Sequence, residues 1–393
     1  MAIERLPHLE IKKELREAVQ TLCAKYPLEY WEEHDREHTF PEDFRRDFAE
    51  QGFAGILIPE QYGGGGGTMG DMVAVLEEVA AGGGELNAAS SVHVPQLCVP
   101  TLLAFGTDAQ RAKYLPLIAA GDLYVTFGVT EPDAGTDTTK ITTKATRTDA
   151  GWRLDGAKVW NTGALRGDKI MVLARTSTPE AGQRKGYGLT LFLADLTADT
   201  VHISAIPKIG RNAVASCEVV FMGHHVSEDD VIGTVGEGFY HLLHSLNGER
   251  LYIAAELLGM GRWAVENGAR YASERVVFDR QIGQNQSVQH PLARGYLNLM
   301  AAGQVVWTAV EQYETKGGAS AGTLCNAAKY LAAEAAFQAA DDAMQVFGGY
   351  SYAREYHIGR HWMGTRIQRI APINNQMILN YIAERSLGLP RSY

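Results

Sequence analysis

The segment Phe127-Gly-Val-Thr-Glu-Pro-Asp-Ala-Gly-Thr-Asp137, within the run YVTFGVTEPDAGTDTTK of residues 124–140, marks a change in the character of the chain. It begins with the period-2 alternation of β-branched and aromatic residues that is typical of a strand. Pro132 and Gly135 then predict a loop, because proline lacks an N–H donor and glycine tolerates positive φ. The segment and its flanks carry five hydroxyl side chains: Thr126, Thr130, Thr136, Thr138 and Thr139. A strand that ends in such a loop can present N–H and O–H groups to a planar polar ligand. An ordinary polar turn has the same spacing, so the segment alone does not decide between the two.

The sequence on either side of this segment divides into three regions. Residues 1–120 show apolar side chains at helical spacing, and residues 121–235 show many short strand-like runs separated by turns. Residues 236–393 contain four long periodic runs, Tyr240–Val277, Val288–Thr315, Ala319–Phe347 and Asn374–Leu387. We therefore predict an α+β protein with an N-terminal helical domain, a middle β-barrel domain and a C-terminal four-helix bundle.

Composition narrows the class of protein. A chain of 393 residues is too long for one hydrophobic core, and a net charge of −10 argues against nucleic acid as a partner. The charged N-terminal residues lack an apolar signal core, and we expect no membrane span and a cytoplasmic location. The four cysteines are far apart in apolar contexts, which predicts buried, reduced thiols: Cys23, Cys98, Cys217 and Cys325.

Several conspicuous motifs favour structural roles. The run Gly63–Gly67 lacks the lysine and the strand–loop–helix context of a phosphate loop, so it is read as a flexible connector. The pair His224-His225 lies at a predicted strand-to-turn junction without a carboxylate pattern, which favours a turn over a metal site. His93, in an apolar helix, is interpreted as a core histidine whose hydrogen bonds are satisfied by its neighbours.

Four segments together resemble the acyl-CoA dehydrogenase family, and the likeness runs from end to end. They are the opening Val129–Asp137 loop, the run Gly156–Thr162 (GAKVWNT), the run Tyr271–Phe278 (YASERVVF) followed by Ile282, Gly283 and Gln286, and the turn Gln345–Gly349 (QVFGG). Each one alone is weak, but the four occur in the family's order and spacing.

The resemblance implies an FAD site built from two sets of residues. The first set surrounds the flavin, with Gln376 towards its adenine or ribityl side; it comprises Phe127, Val129, Thr130, Thr136, Trp160, Thr162, Asn374 and Gln376. A second set, which in the family reaches the FAD of a neighbouring subunit, comprises Arg275, Phe278, Gln286, Gln345, Gly348 and Gly349. A guanidinium suits the diphosphate, and glycines let the backbone approach it closely. Without the neighbouring motifs, Trp160 would be read as a core residue.

The implied activity is α,β-desaturation of an acyl-CoA thioester to the trans-2-enoyl-CoA. The implied partners are an electron-transfer flavoprotein and further copies of the chain, as a homo-oligomer such as a tetramer. Two alternatives stay open at this point. One is a flavin-dependent monooxygenase on the same fold, whose relatives lack a catalytic glutamate. The other is a non-catalytic acyl-CoA-binding protein.

The expected catalytic base departs from the family's common pattern. Most members carry the glutamate in the segment that corresponds to residues 370–376, but Pro372 occupies that position here and also removes a backbone N–H. The isovaleryl-CoA type carries it at the position of Glu249, which we predict to be the base. Arg250 and Thr136 are the predicted contacts to the acyl-CoA. The alternative for Glu249 is a first-turn glutamate that only favours the helix dipole.

Overall fold

A computed structural model describes residues 4–392. The N-terminal region is helical, as predicted, and seven α-helices precede the sheet. They are α1 (Lys13–Cys23), α2 (Leu28–Glu37), α3 (Glu42–Glu50), α4 (Met69–Val79), α5 (Glu85–His93), α6 (Val99–Phe105) and α7 (Asp108–Ala120). A π-helical turn over Ala80–Gly84 links α4 to α5, and a 3₁₀ turn over Val94–Leu97 follows α5. Residues 88–105, which the apolar pattern predicts as one helix, are instead divided between α5, the 3₁₀ turn and α6.

The middle region is an open sheet of eight strands. They are β1 (Val125–Gly128), β2 (Lys144–Thr148), β3 (Gly151–Thr162), β4 (Lys169–Arg175), β5 (Leu189–Asp195), β6 (Val201–Ala205), β7 (Ser216–Val226) and β8 (Val231–Ile232). Seven strands follow the order β6-β7-β3-β2-β4-β5-β8, and β1 pairs in parallel with β4. The predicted closed barrel is wrong, because within residues 4–392 the end strands β6 and β8 do not pair with each other.

Strands β4 and β5 are buried along nearly their whole length because the sheet has a core on each face. Met171 and Leu173 point into a core shared with helices α6 and α7, while Ile170 and Val172 point into a core between the strands of the middle region. Successive side chains of a strand face opposite sides, so two cores produce an unbroken apolar run. The same region places His224 and His225 inside β7 rather than in a turn.

The C-terminal region contains five α-helices and a short hairpin. They are α8 (Gly238–Glu274), the hairpin strands β9 (Val276–Val277) and β10 (Arg280–Gln281), α9 (Gln286–Lys316), α10 (Gly322–Phe347), α11 (Ile358–Ile367) and α12 (Asn375–Arg385). The three long helices α8, α9 and α10 share their core with α4 of the N-terminal region, while α12 packs on α10. At Gly261 of α8, a Cβ would lie 2.6 Å from Leu299 and 3.0 Å from Ala336, so glycine permits the close approach of these helices.

One helical stretch in the described residues, Met69–Phe105, is long and apolar enough to cross a membrane by length and composition, contrary to the expectation from the sequence. Its most apolar window has a mean hydropathy of 1.2, and 72% of that window is buried inside the fold. Burial of this kind is the pattern of a core helix, and the stretch is interrupted by the π-helical turn.

Candidate active site

Strand β1 and the loop after it are attached directly to β3. The Thr126 hydroxyl donates to the Thr162 carbonyl at 2.6 Å, and the Val159 amide donates to the Thr130 carbonyl at 2.9 Å. These contacts bring the opening segment beside the predicted Trp160–Thr162 wall. The Thr126 side chain is buried in this contact, so its hydroxyl serves the fold.

A buried ion pair fixes the shape of the loop. The Glu131 carboxylate accepts from Lys158 Nζ at 2.8 Å, from the Thr142 amide at 2.7 Å and from the Thr143 amide at 2.9 Å. Burial opposes ionisation of Glu131, but Lys158 and these donors outweigh it and hold the pKa of Glu131 at about 2. The loop that carries Glu131, residues 142–143 and strand β3 are thereby joined at one carboxylate, which makes the loop a rigid support.

Trp160 projects out of the sheet. Its side chain is 57% exposed, and its backbone has a φ of 65°, which is unusual for a bulky residue. The pairing of β3 with β7 shifts register between Lys158 and Asn161, so Trp160 lies on a bulge. The core interpretation of Trp160 is therefore wrong; Trp152 on the same strand is the buried indole.

The N-cap residue of α12 lies next to the loop that follows β1. Asn374 accepts from the Met377 amide at 2.9 Å and so caps the helix, while its Nδ2 lies 3.5 Å from Thr136 Oγ1. Thr136 and Asn374, 238 residues apart, are thus neighbours, as the predicted flavin-lining set requires. Gln376 is exposed in the first turn of the same helix.

A lysine of α10 hydrogen-bonds to the segment around Pro372. Lys329 Nζ donates to the Ile373 carbonyl at 2.8 Å and to Asn375 Oδ1 at 2.8 Å, while burial lowers the pKa of Lys329 to about 8. Within residues 4–392, no hydrogen bond takes up the backbone amides of Ile373 and Asn374. These two N–H groups are therefore available beside the one that Pro372 lacks.

Glu249 lies in the middle of α8, which begins at Gly238, so the first-turn explanation of this glutamate is wrong. Burial raises the pKa of Glu249 above its ordinary value, and Arg250 and His93 only partly oppose this effect. Among the side-chain hydrogen bonds of residues 4–392, none reaches the Glu249 carboxylate. The structure thus presents a half-buried carboxylate that has no hydrogen-bond partner among the described residues and can take a proton.

One cysteine is close to the opening segment and within the electrostatic influence of Glu249. Burial raises the pKa of Cys98, and the negative charge of Glu249 raises it further. Cys98 Sγ lies 3.9 Å from the Thr126 carbonyl oxygen. Phe127 and Val129, both half-buried, belong to the apolar core next to this wall.

Arg250 is braced rather than free. Its Nη1 donates to Asn247 Oδ1 at 2.7 Å, and Asn247 in turn donates to the Gly318 carbonyl at 2.8 Å. Arg250 Nε is buried without a partner in the described part of the chain. A guanidinium fixed at one end with a free N–H at the other can orient a polar substrate group.

The second predicted set lies at the end of α8 and α10, on the surface. Arg275 is positioned 5.7 Å from the centre of the Tyr350 ring, and Phe278, in the β9–β10 turn, is 94% exposed with a φ of 51°. A Cβ added at Gly348 or Gly349 would meet nothing within 4 Å. Gln286 and Gln345 are also exposed. These residues form an outward-facing patch, and the structure gives none of them a contact with the ring-lining set.

Comparison with known proteins matches the whole of this architecture. Three family models describe the chain: "Acyl-CoA dehydrogenase, N-terminal domain" over residues 10–122, "middle domain" over 126–223 and "C-terminal domain" over 236–387. The chain is 34% identical over 384 residues to the "Acyl-CoA dehydrogenase fadE12" of Mycobacterium bovis, covering 98% of each chain. The chain belongs to the acyl-CoA dehydrogenase family.

Solved structures agree with this membership. Butyryl-CoA dehydrogenase from Megasphaera elsdenii superposes with a TM-score of 0.89 at 26% identity, covering 99% of this chain and 100% of that one. A structure titled "FAD complex of PigA" superposes equally well, with a TM-score of 0.89 at 25% identity over 99% of this chain and 100% of that one. As an acyl-CoA dehydrogenase, the protein is an oxidoreductase of a flavin-dependent family.

The structure of this acyl-CoA dehydrogenase also contains site residues that sequence reasoning missed. Arg211 Nη2 lies 3.4 Å from Thr162 Oγ1 and donates to Ser216 Oγ at 2.6 Å, which places a cation beside the predicted flavin wall. Glu256 is fully buried against His93. The one signal for Glu256 was its position seven residues after Glu249, two turns further along one helix face.

Proposed function

We propose that the protein is an FAD-dependent dehydrogenase that converts an acyl-CoA to its trans-2-enoyl-CoA, with Glu249 as the catalytic base and an electron-transfer flavoprotein as the acceptor. The observation that carries this proposal is the half-buried Glu249 carboxylate, which has no hydrogen-bond partner in the described residues and whose charge acts on Cys98 beside β1. The base position is that of the isovaleryl-CoA type. The proposal is tested by whether acyl-CoA reduces the bound flavin without oxygen.

Glu249 is suited to removing an α-proton. A general base is most effective when its pKa lies near the working pH, and burial moves the pKa of Glu249 in that direction. Burial lowers the pKa of Arg250, but its guanidinium still places a positive charge beside the Glu249 carboxylate. This charge limits the rise in the pKa of Glu249. The monooxygenase alternative gives this carboxylate no role.

The residues present fit FAD. When bound, FAD supplies the acceptor for the hydride that leaves the substrate Cβ. The exposed Trp160 ring on a bulge offers an apolar face, while Thr130, Thr136 and Thr162 supply polar groups around it. Glu131 and Lys158 keep this support in place, so the site needs little rearrangement to receive a planar ring.

The thioester carbonyl is assigned to the amides of Ile373 and Asn374. Polarising that carbonyl makes the α-proton more acidic, and backbone N–H donors are the usual means. Pro372 cannot donate, whereas the two following amides are unoccupied within the described residues. Lys329 holds the Ile373 carbonyl and thereby fixes the orientation of the peptide that carries the Asn374 amide.

We assign the outward-facing patch to the FAD of a second copy of the chain. Arg275 is exposed, and Gly348 and Gly349 leave open space for a diphosphate to approach the backbone. Phe278, 94% exposed, follows the exposed Val276 and Val277, and a continuous group of exposed apolar side chains is typical of an interaction surface. Each complete site would then join the ring-lining set of one subunit with the patch of another, in a homo-oligomer.

Mixing two inactive variants tests this composite site. Glu249→Gln and Arg275→Ala are each expected to be inactive, but hybrids of the two should show about half of the wild-type activity, because one of the two sites in each hybrid pair is intact. Activity of co-purified, differently tagged hybrids is the measurement. Glu249→Gln with Trp160→Ala is the matched control, since both changes lie in the ring-lining set. Activity of the control hybrids above that of the Trp160→Ala protein alone, or no activity in the test pair, would contradict the assignment.

Replacing Trp160 tests the flavin wall. Because the ring is largely exposed, Trp160→Ala should leave the melting temperature of the apoprotein nearly unchanged while weakening FAD binding at least about tenfold. Flavin fluorescence titration gives the dissociation constant. Trp152→Ala, which empties a buried site, should instead destabilise the fold by about 3–5 kcal/mol. Unchanged FAD affinity in Trp160→Ala would remove this residue from the site.

A further inference from the structure

The loop between β6 and β7 holds Arg211 in an unusual backbone conformation. Its φ is 58°, in the left-handed region that residues other than glycine rarely adopt. The N-terminal helices anchor the two residues that follow. The Asn212 amide donates to Asp35 Oδ1 at 2.6 Å, and the Ala213 amide donates to Asn87 Oδ1 at 3.1 Å. A strained backbone persists only where its surroundings fix it, and such residues cluster at functional sites. The loop therefore determines where the Arg211 side chain lies.

Only hydroxyl groups receive hydrogen bonds from the Arg211 guanidinium within residues 4–392. Nη2 donates to Ser216 Oγ at 2.6 Å and lies 3.4 Å from Thr162 Oγ1, while Nη1 lies 3.3 Å from Ser90 Oγ. In the same residues, Arg211 forms no ion pair with a carboxylate. Because arginine stays protonated in proteins, this side chain carries a positive charge that no contacting carboxylate compensates.

The carboxylates that act on Arg211 from further away are engaged by other residues. The charges of Glu85 and Glu256 influence Arg211. However, Glu85 Oε1 lies 3.3 Å from Arg360 Nη1, and Glu256 contacts His93. Burial lowers the pKa of Arg211, as expected for a cation without a contacting partner. The predicted flavin wall therefore has a fixed positive charge at its edge, which suits an anionic group.

The hydroxyl of Thr162 connects this charge to the predicted flavin wall. Thr162 belongs to that wall with Trp160, and its carbonyl is held by the Thr126 hydroxyl at 2.6 Å. A guanidinium can only donate, so Thr162 Oγ1 accepts from Arg211. Within the described residues, no hydrogen bond uses the proton of the Thr162 hydroxyl. That proton remains for an acceptor on a bound ring.

We propose that Arg211 is a positioning residue that favours the reduced form of bound FAD and directs the Thr162 hydroxyl towards the flavin ring. This inference rests on the proposed function, which places FAD at this wall. The α-proton goes to Glu249, and the hydride carries two electrons and one proton, so the ring that accepts it gains one negative charge. A fixed cation lowers the free energy of that charge more than the free energy of the neutral oxidised ring. Arg211 thereby raises the reduction potential of bound FAD.

Redox titration of the FAD-loaded protein against a reference dye, without acyl-CoA, tests this inference. The reduction potential reports the ratio of the affinities for reduced and oxidised FAD, so a residue that only supports the fold does not change it. Arg211→Gln should lower the equilibrium constant for flavin reduction at least about tenfold, which corresponds to about 30 mV for a two-electron couple. Arg211→Lys keeps the positive charge and should recover part of this difference.

Two substitutions at Ser216 provide an independent pair, since its hydroxyl accepts from Arg211. Ser216→Asp places a carboxylate beside the guanidinium and should lower the equilibrium constant in the same direction while the arginine is still present. Ser216→Asn has a similar size but no charge, so it is the matched control and should titrate close to the wild type. This pair decides the question if Arg211→Gln does not retain FAD.

The outcomes separate this inference from the proposed function. Equal reduction potentials in the wild type and Arg211→Gln, or equal shifts in Ser216→Asp and Ser216→Asn, overturn the role of Arg211. Neither result contradicts the proposed function, because reduction in the dye titration requires neither Glu249 nor acyl-CoA. If the potential shifts as expected but no acyl-CoA reduces the flavin, the proposed activity fails while the role of Arg211 stands. A wild-type protein that does not bind FAD contradicts both.

Discussion

Replacing Glu249 by glutamine is expected to slow reduction of the bound flavin by acyl-CoA by a factor of about 10²–10⁴ while leaving FAD bound. The change removes the proton acceptor but keeps the shape of a side chain that makes no hydrogen bond within the described residues. Stopped-flow absorbance of the holoprotein without oxygen measures the rate. FAD content is measured on the same sample.

Glu266 provides a matched control on the same helix. Burial also raises the pKa of Glu266, but its side chain lines a separate cleft with Gln20 and Cys23, away from the β1 segment. Glu266→Gln should therefore reduce flavin at the wild-type rate. Full flavin reduction by Glu249→Gln, or equal losses in both variants, would exclude Glu249 as the base.

The pH dependence has a definite sign. Because the pKa of Glu249 is raised, the carboxylate that acts as base is lost as the pH falls through a value higher than that of an ordinary glutamate. The stability effect runs in the opposite direction: a raised carboxyl pKa favours the folded state at low pH, and this advantage is lost as the pH rises through the folded-state pKa. Relative to wild type, Glu249→Gln should therefore gain stability as the pH rises.

The second large effect concerns stability. Lys158→Met is expected to destabilise the protein by about 3–5 kcal/mol at neutral pH, because it leaves the buried Glu131 carboxylate without its counter-ion. The pKa of Glu131, about 2 in the folded wild type, lies below its unfolded value, so its stabilisation is present above that unfolded value. The stabilisation by Glu131 is lost as the pH falls towards 2. The difference in the free energy of unfolding between wild type and Lys158→Met should therefore become smaller in acid, which urea unfolding at several pH values measures.

Two further proteins make this test specific. The double variant Lys158→Met, Glu131→Gln removes the unpaired charge and should recover most of the lost stability. Lys140→Met breaks only a surface pair with Asp137, 3.8 Å apart, and should unfold like the wild type. A Lys158→Met protein as stable as wild type would show that the ion pair does not support the loop.

The sequence predicted the order of the regions because periodicity reports local structure directly. The helical, strand-rich and helical regions follow one another as apolar spacing predicted, although individual elements differ. The Thr136–Asn374 contact joins two segments that only the family resemblance had associated. The sequence could not predict whether the sheet closes, because closure requires β6 to pair with β8. The local sequence of either strand does not determine that pairing.

The pairing of charged residues in the site could not be predicted from the sequence either. Glu131 sits in the opening segment, but its partner Lys158 is recognisable only once β3 is placed beside the loop. Glu249 and Glu256 share a helix face, yet one is unpaired and the other is paired with His93, a difference set by α5 and α11. Burial and pairing are properties of the assembled fold, and they distinguish a base from a paired carboxylate.

The most direct test is titration of the FAD-loaded wild-type protein with straight, branched and aromatic acyl-CoA in the absence of oxygen. The account predicts that at least one of them abolishes the visible absorbance of the oxidised flavin and yields the trans-2-enoyl-CoA, with the colour restored by an electron-transfer flavoprotein. Retention of the oxidised spectrum with every acyl-CoA, in a protein that binds both FAD and the thioester, would contradict it.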